Sequence, residues 1–298
     1  MSIRHYTPRR RARGGASPLL VKVMGAALAA TILMQILYPL VDGGLLGVIT
    51  IASVYTAAFA MFLHGIAAFG ARYGWTMLGI TLLFGYFIEQ IGVTTSWPFG
   101  EYSYSESLGP KIFSVPLVVP FAWVMIAHPC LVAARRIGKS WVFLYGGVLM
   151  MAWDLFLDPL MVSSERWSWV VNGRHVPFQP EIPISNTFGW LLSGMALMTI
   201  LHFSTPRDRR KVGGSLVAAD VMLFWTLFSG VVGNLFFFGH PGIALFSGSI
   251  LSVLLAPYFF NRWVGDRNPL MILFFLLPLI LLTIAAVNFV QIRTPTRF

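Results

Sequence analysis

The chain has 298 residues, of which 57% are hydrophobic and 11% are charged, a composition that excludes a water-soluble globular protein. Its net charge of +10 does not indicate a nucleic-acid partner, because most of the basic residues lie in short segments between apolar runs. The single cysteine, Cys130, excludes a disulfide within the chain and a cysteine-rich metal site.

Nine apolar runs recur along the chain, each about long enough to cross a lipid bilayer. They predict an all-α, polytopic transmembrane helix bundle of about nine spanning helices. The runs cover approximately residues 19–40, 44–68, 75–95, 113–134, 141–162, 184–203, 215–238, 241–260 and 270–290. We therefore predict a short basic tail over residues 1–18 and a single transmembrane domain over residues 19–298.

The distribution of basic residues predicts the orientation of this bundle. If the N-terminus is cytoplasmic, 16 of the 21 lysines and arginines fall in cytoplasmic segments, as the positive-inside rule requires. We expect a multi-pass protein of the cell membrane with a cytoplasmic N-terminal tail. The two long loops, about 95–112 and 163–183, then lie outside.

Three acidic residues, Glu89, Asp154 and Asp158, lie well inside apolar runs. A charged side chain at the centre of a spanning helix raises the free energy of membrane insertion by about 2.5–3.5 kcal/mol. By the predicted topology all three lie in the outer half of the membrane. The spacing of four residues puts Asp154 and Asp158 on one helix face, and Pro159 leaves the carbonyl of Leu155 without its helical partner. Carboxyl groups crowded in an apolar site cannot all ionise, so at least one is expected to remain a proton donor.

A purely structural role for these acids is the alternative, in which they pair with polar groups and hold helices together. No lysine or arginine lies deep in a run, so His64, Ser185 and Asn186 are the candidate partners, with Ser185 and Asn186 the better placed. His128 belongs to the inner half of its helix. The histidines form no metal-ligand pattern, and we expect neither a metal nor another cofactor.

Three stretches together resemble a known family. They are FGYFIEQIGVTTSWPFGEYSYSESLGPKIFSVPLVVPFAW at 84–123, AWDLFLDPLMV at 152–162, and IPISNTFGW at 182–190, which follows Trp167 and Trp169. In this order they resemble the carotenoid biosynthesis membrane-protein family, which includes carotenoid 1′,2′-hydratase and bisanhydrobacterioruberin hydratase.

The resemblance implies a carotenoid hydratase, a hydro-lyase that adds water to a terminal double bond of an acyclic carotenoid and gives a tertiary alcohol. Glu89, Asp154 and Asp158 are the expected catalytic residues, with the acid, stabilising and base roles left open among them. The expected substrate-binding residues are Trp97, Phe99, Tyr102, Tyr104, Trp153, Asn186 and Trp190. The expected partners are the carotenoid, membrane lipids and other enzymes of the pathway.

Three other functions share part of this pattern. A carotenoid end-group cyclase also protonates an alkene but must exclude water. A membrane prenyltransferase needs a second aspartate-rich motif for magnesium and diphosphate, and none is present. A proton-coupled transporter often has paired repeats, and the sequence has none.

Overall fold

Eight long helices dominate the computed structural model, which describes residues 16–206 and 217–260. Each is apolar and long enough to span a membrane. They are α1 (Pro18–Leu37), α2 (Gly43–Phe69), α3 (Ala71–Thr95), α4 (Val118–Ile137), α5 (Val142–Ser163), α6 (Ile184–Ser204), α7 (Ala218–Val232) and α8 (Pro241–Phe259). The spans of α1 and α7 include the short turn that follows the helix, a 3₁₀ turn after α1 and a π turn after α7.

The predicted all-α polytopic bundle is confirmed, with eight rather than nine spanning helices in the described part of the chain. The ninth predicted run, 270–290, lies outside the described residues, as does most of the predicted basic tail. The fourth helix begins at Val118 rather than near 113, because the preceding residues form a short β-hairpin. The division into tail and single domain stays a prediction.

Helix α4 is the most buried of the eight and occupies the centre of the bundle, in contact with α2, α3, α5 and α6. Helices α2 and α3 form a tight hairpin through Gly70, whose φ of 105° is accessible to glycine without strain. This turn sends α3 back along α2 toward the opposite end of the bundle. Glu89 therefore lies near the end of α3 that adjoins a long loop.

The two long loops meet at one end of the bundle through short antiparallel strands. Strand β1 (Tyr102–Tyr104) pairs with β4 (Trp167–Trp169), and Tyr102 lies opposite Trp169. Two smaller hairpins complete this end: β2 (Lys111–Ile112) with β3 (Val115–Pro116), and β5 (His175–Val176) with β6 (Gln179–Pro183). We call residues 96–117 and 164–183 the loop cap. Its location outside the cell stays a prediction.

Helix α5 continues through Pro159, and the carbonyl that this proline leaves unpaired is bonded elsewhere. The Leu155 oxygen accepts hydrogen bonds from Gln179 Nε2 in the loop cap and from Ser247 Oγ on α8, both at 3.0 Å. The prediction that Pro159 frees a backbone acceptor near the acids is confirmed. The bonds tie the cap and α8 to the aspartate-bearing helix.

We expect Ser247→Ala to destabilise the protein by about 1 kcal/mol, because it removes one of the two donors to a buried carbonyl. The loss should appear as a lower unfolding midpoint in detergent. Ser249→Ala is the matched control, since Ser249 is exposed on the same helix and should leave the midpoint unchanged. Equal effects of the two substitutions would contradict a role for Ser247 in holding Leu155.

Candidate active site

The three predicted acids converge beneath the loop cap. All are buried, Glu89 on α3 and Asp154 and Asp158 on α5. Helix α6 bridges these two helices, packing along α5 and touching α3. Glu89 and Asp158 each lie within about 10 Å, along the helix axis, of the cap end of their helices. The three carboxyl groups therefore occupy a common layer of the bundle.

Glu89 accepts three hydrogen bonds from aromatic side chains. Tyr102 Oη and Tyr104 Oη donate to Oε2 at 2.6 and 2.7 Å, and Trp123 Nε1 donates to Oε1 at 2.9 Å. The tyrosines reach it together because alternate residues of a strand share one face. Gly92, one turn beyond Glu89, allows the approach, since a Cβ there would lie 2.6 Å from Tyr102 Oη. An ionised carboxylate matches this set of donors.

The two cap tyrosines are suited to remain donors. Burial raises the pKa of Tyr102 and of Tyr104, and the negative charge of Glu89 raises both further, so the phenols stay protonated at neutral pH. The tryptophans of strand β4 pack against both tyrosines. Trp169 stacks on Tyr102 with ring centres 5.8 Å apart, and Trp167 contacts Tyr104 edge-on. The cap therefore fixes the hydrogen-bonding groups of Glu89.

Asp154 and Asp158 form a pair held by one amide. Asn186 Nδ2, on α6, donates to Asp154 Oδ2 at 3.1 Å and also to Asp158 Oδ2. The carboxyl groups are close enough to interact with each other. Asn186 and Ser185 were both expected to be well-placed partners of the acids. The expectation is confirmed for Asn186, whereas Ser185 lies beside the carbonyl of Phe99 instead.

A small cavity of about 40 Å³ lies between Glu89 and Asp158. We call it the acid cavity. Aromatic rings form most of its wall, together with Asn186 and Leu157: Phe99, Tyr102, Tyr104, Trp123, Trp167, Trp169 and Trp190. One water needs at least about 10–15 Å³ on this measure, so the volume suits a few water molecules.

Three polar atoms, on two residues that line the acid cavity and on the aspartate next to Asp158 in the pair, lack a hydrogen-bond partner within the described residues. They are the indole Nε1 atoms of Trp167 and Trp169 and the Oδ1 atom of Asp154. Trp167 Nε1 approaches Asp158 without completing a well-formed hydrogen bond. Buried groups of this kind cost about 1–3 kcal/mol when unpaired. Water in the acid cavity would offer the two indole groups an acceptor.

The structure separates the predicted substrate-binding residues into three groups. Five line the acid cavity: Phe99, Tyr102, Tyr104, Asn186 and Trp190. Trp153 is buried but faces a larger neighbouring cavity. Trp97 is 60% exposed on the loop cap and lines neither of these cavities. The catalytic and binding roles themselves stay predictions.

Sequence reasoning missed three tryptophans of the acid cavity as site residues. Trp123 donates to Glu89 and stacks on Trp190, with ring centres 4.5 Å apart and planes 11° apart. Trp167 and Trp169, on strand β4, lie opposite Tyr104 and Tyr102 on strand β1 and line the same cavity. The sequence did carry one signal for Trp167 and Trp169. Aromatic residues alternate with serine in YSY at 102–104 and in WSW at 167–169, and such alternation is typical of β-strands.

His64 and His128 lie in a cluster apart from the acids. His64 Nδ1 and His128 Nε2 are 2.7 Å apart, and Tyr73 Oη is 3.0 Å from His128 Nδ1, in a cluster of α2, α3 and α4. Over residues 16–206 and 217–260, no three His, Cys, Asp or Glu side chains are grouped to hold a metal ion. The expectation that the reaction needs no metal stays a prediction.

Comparison with known proteins places this arrangement in a family. The sequence profile of the family described as "Carotenoid biosynthesis protein" matches residues 45–260, which include every acid-cavity residue. The chain belongs to the carotenoid biosynthesis protein family. The resemblance inferred from the sequence is confirmed, and this member is a multi-pass membrane protein.

One similar curated protein carries a more specific name. Bisanhydrobacterioruberin hydratase of Haloarcula japonica is 32% identical over 176 residues, which are 56% of this chain and 57% of the relative. The match therefore spans little more than half of the relative's length. No solved structure matches the chain.

Proposed function

We propose that this protein is a carotenoid hydratase of the cell membrane, which adds water to a terminal double bond of an acyclic carotenoid. The observation that carries the proposal is a water-sized cavity bounded by two buried carboxyl groups and capped by aromatic rings. The name of the Haloarcula relative supports the same chemistry. A polyene substrate dissolves in the membrane, which suits an active site between membrane helices.

The first step is transfer of a proton to the alkene. Two adjacent buried carboxyl groups that share one amide donor retain a proton between them, because ionising both would place like charges in contact. Asp158 lines the acid cavity and is therefore the donor, with Asp154 behind it. The π electrons form a new C–H bond at the less substituted carbon, and a tertiary cation remains on its neighbour.

Glu89 and the aromatic wall stabilise this cation. The three hydrogen bonds donated to Glu89 favour its ionised form, in which a negative charge is in place before the positive charge develops. The stacked rings of Trp123 and Trp190 line the same cavity, and aromatic faces attract cations. These groups favour the transition state over the neutral alkene.

Attack by water completes the reaction. One indole N–H group, of Trp167 or Trp169, donates to the water oxygen and holds it in the acid cavity, which leaves a lone pair on the oxygen free to attack. The oxygen bonds to the cationic carbon, and the proton released returns to the Asp154–Asp158 pair, which regains its starting state. The reaction is a redox-neutral addition in which the pair acts first as acid and then as base.

A carotenoid end-group cyclase is the second candidate, since it would use the same proton donor. A cyclase must keep water from its cation. The unpaired indole groups beside a water-sized cavity favour the hydratase.

Labelled water tests the proposal. Membranes that contain the protein and an acyclic carotenoid, incubated in heavy water and separately in ¹⁸O-water, should give an alcohol with one non-exchangeable deuterium next to the carbinol carbon and with oxygen from water. Mass analysis of the product detects both labels. A cyclase would fix deuterium without oxygen. Product oxygen derived from oxygen gas, or an unchanged carotenoid, would contradict hydration.

A further inference from the structure

A second and much larger cavity, of about 430 Å³, adjoins the acid cavity. We call it the large cavity. It lies between α1, α2, α4, α5 and α7, and its volume falls in the range of about 300–1,000 Å³ that is usual for small-molecule sites. We propose that the large cavity binds the hydrocarbon chain of the substrate while the terminal double bond lies in the acid cavity, an inference that rests on the proposed function.

Among the described residues, Leu157 is the one that lines both cavities. On the same helix Asp158 faces the acid cavity, whereas Phe156 and Leu160 face the large one. The Leu157 side chain can change rotamer without rearrangement of the backbone, and such a change would open a path between the two spaces. A chain bound in the large cavity can thus present its end to Asp158 past Leu157.

The lining of the large cavity suits a hydrocarbon. Its wall includes the rings of Trp153, Phe156 and Phe228 and the side chain of Met125. Four polar side chains in the wall are already engaged within the protein. Gln35 Oε1 accepts from Trp225 Nε1 at 2.6 Å, and Thr50, Ser53 and Asn234 donate to backbone carbonyls of their own helical segments. The surface presented to a ligand is therefore mainly apolar.

The large cavity reaches the surface between α1 and α7. Ile36 and Phe237 both line it and are 47% and 53% exposed. They lie at the ends of their segments nearest the loop cap, and a π turn, Gly233–Phe237, forms the α7 side of this opening. Such turns are frequent at functional sites. A carotenoid dissolved in the bilayer can enter here sideways, with the remainder of the chain left among the lipids.

Filling the large cavity tests the inference. Thr226 lines it from α7, and Thr226→Trp would place a ring in the space assigned to the chain. We expect hydration of lycopene to fall by about tenfold or more. Hydration of a short alkene with the same terminal isoprenoid unit should change less than about twofold. Val253→Trp, at a position 71% exposed on α8, is the matched control and should affect neither substrate.

A second filling variant and a binding measurement keep the test decisive. Ser229→Leu adds less volume at another lining position and should give the same selective loss if Thr226→Trp does not fold. The amount of lycopene that co-purifies with the protein should fall in both variants. An equal loss for long and short substrates, or no loss for lycopene, would overturn the inference. One outcome would overturn only the proposed function: the wild-type protein hydrates neither substrate, yet it binds lycopene, and Thr226→Trp weakens that binding.

Discussion

Replacing Asp158 with asparagine should lower the rate of carotenoid hydration by about 10²–10⁴-fold. Asparagine keeps the shape of the side chain, but it cannot deliver a proton to an alkene. Asp158 is the member of the pair that lines the acid cavity, so its loss removes the proposed donor itself. The measurement is alcohol formed per amount of folded protein in membranes or nanodiscs.

Two further variants show whether this loss is chemical. Asp154→Asn should reduce the rate less than Asp158→Asn, because Asp154 does not line the cavity and acts through its partner. Asp42→Asn is the matched control, a carboxylate-to-amide change at an exposed position before α2, and should retain full activity. Wild-type specific activity of Asp158→Asn, with only the amount of protein reduced, would assign the acids a structural role instead.

The acids and their amide partner were predictable because the signals are local. Hydropathy located the spanning helices, and helical periodicity placed Asp154 and Asp158 on one face. The distribution of lysine and arginine residues predicted the direction of each helix, and with it that Glu89 lies near the same end of the bundle as the two aspartates. Location at the start of the next helix pointed to Ser185 and Asn186 alike, and only Asn186 contacts the acids.

The cap and the tryptophans of the cavity were not predictable in the same way. Strands β1 and β4 have three residues each and pair across a large distance in sequence, so neither carries enough periodicity to show its partner. Trp153 was expected to bind the substrate, and it adjoins Asp154 in the sequence, but the side chains of successive helical residues point about 100° apart. It faces the large cavity, which exists only because five helices pack around it.

Replacing Glu89 with glutamine should lower kcat by about 100-fold or more with little change in KM. The negative charge of Glu89 interacts strongly with the developing cation and only weakly with the neutral alkene, so it acts in the transition state. Steady-state rates on membranes with saturating carotenoid give kcat, and a substrate titration gives KM.

The substitution should leave the fold intact, because glutamine can satisfy the same partners. Its oxygen can accept from Trp123 Nε1, and the hydroxyls of Tyr102 and Tyr104 can rotate to accept from its amide. Tyr104→Phe is the matched control: it removes one donor and keeps the carboxylate, so kcat should fall by less than about tenfold. A rise in KM at constant kcat in Glu89→Gln would indicate that Glu89 only shapes the cavity. If Glu89→Gln lowers kcat by more than Tyr104→Phe does, the stabilising effect belongs to the negative charge of Glu89.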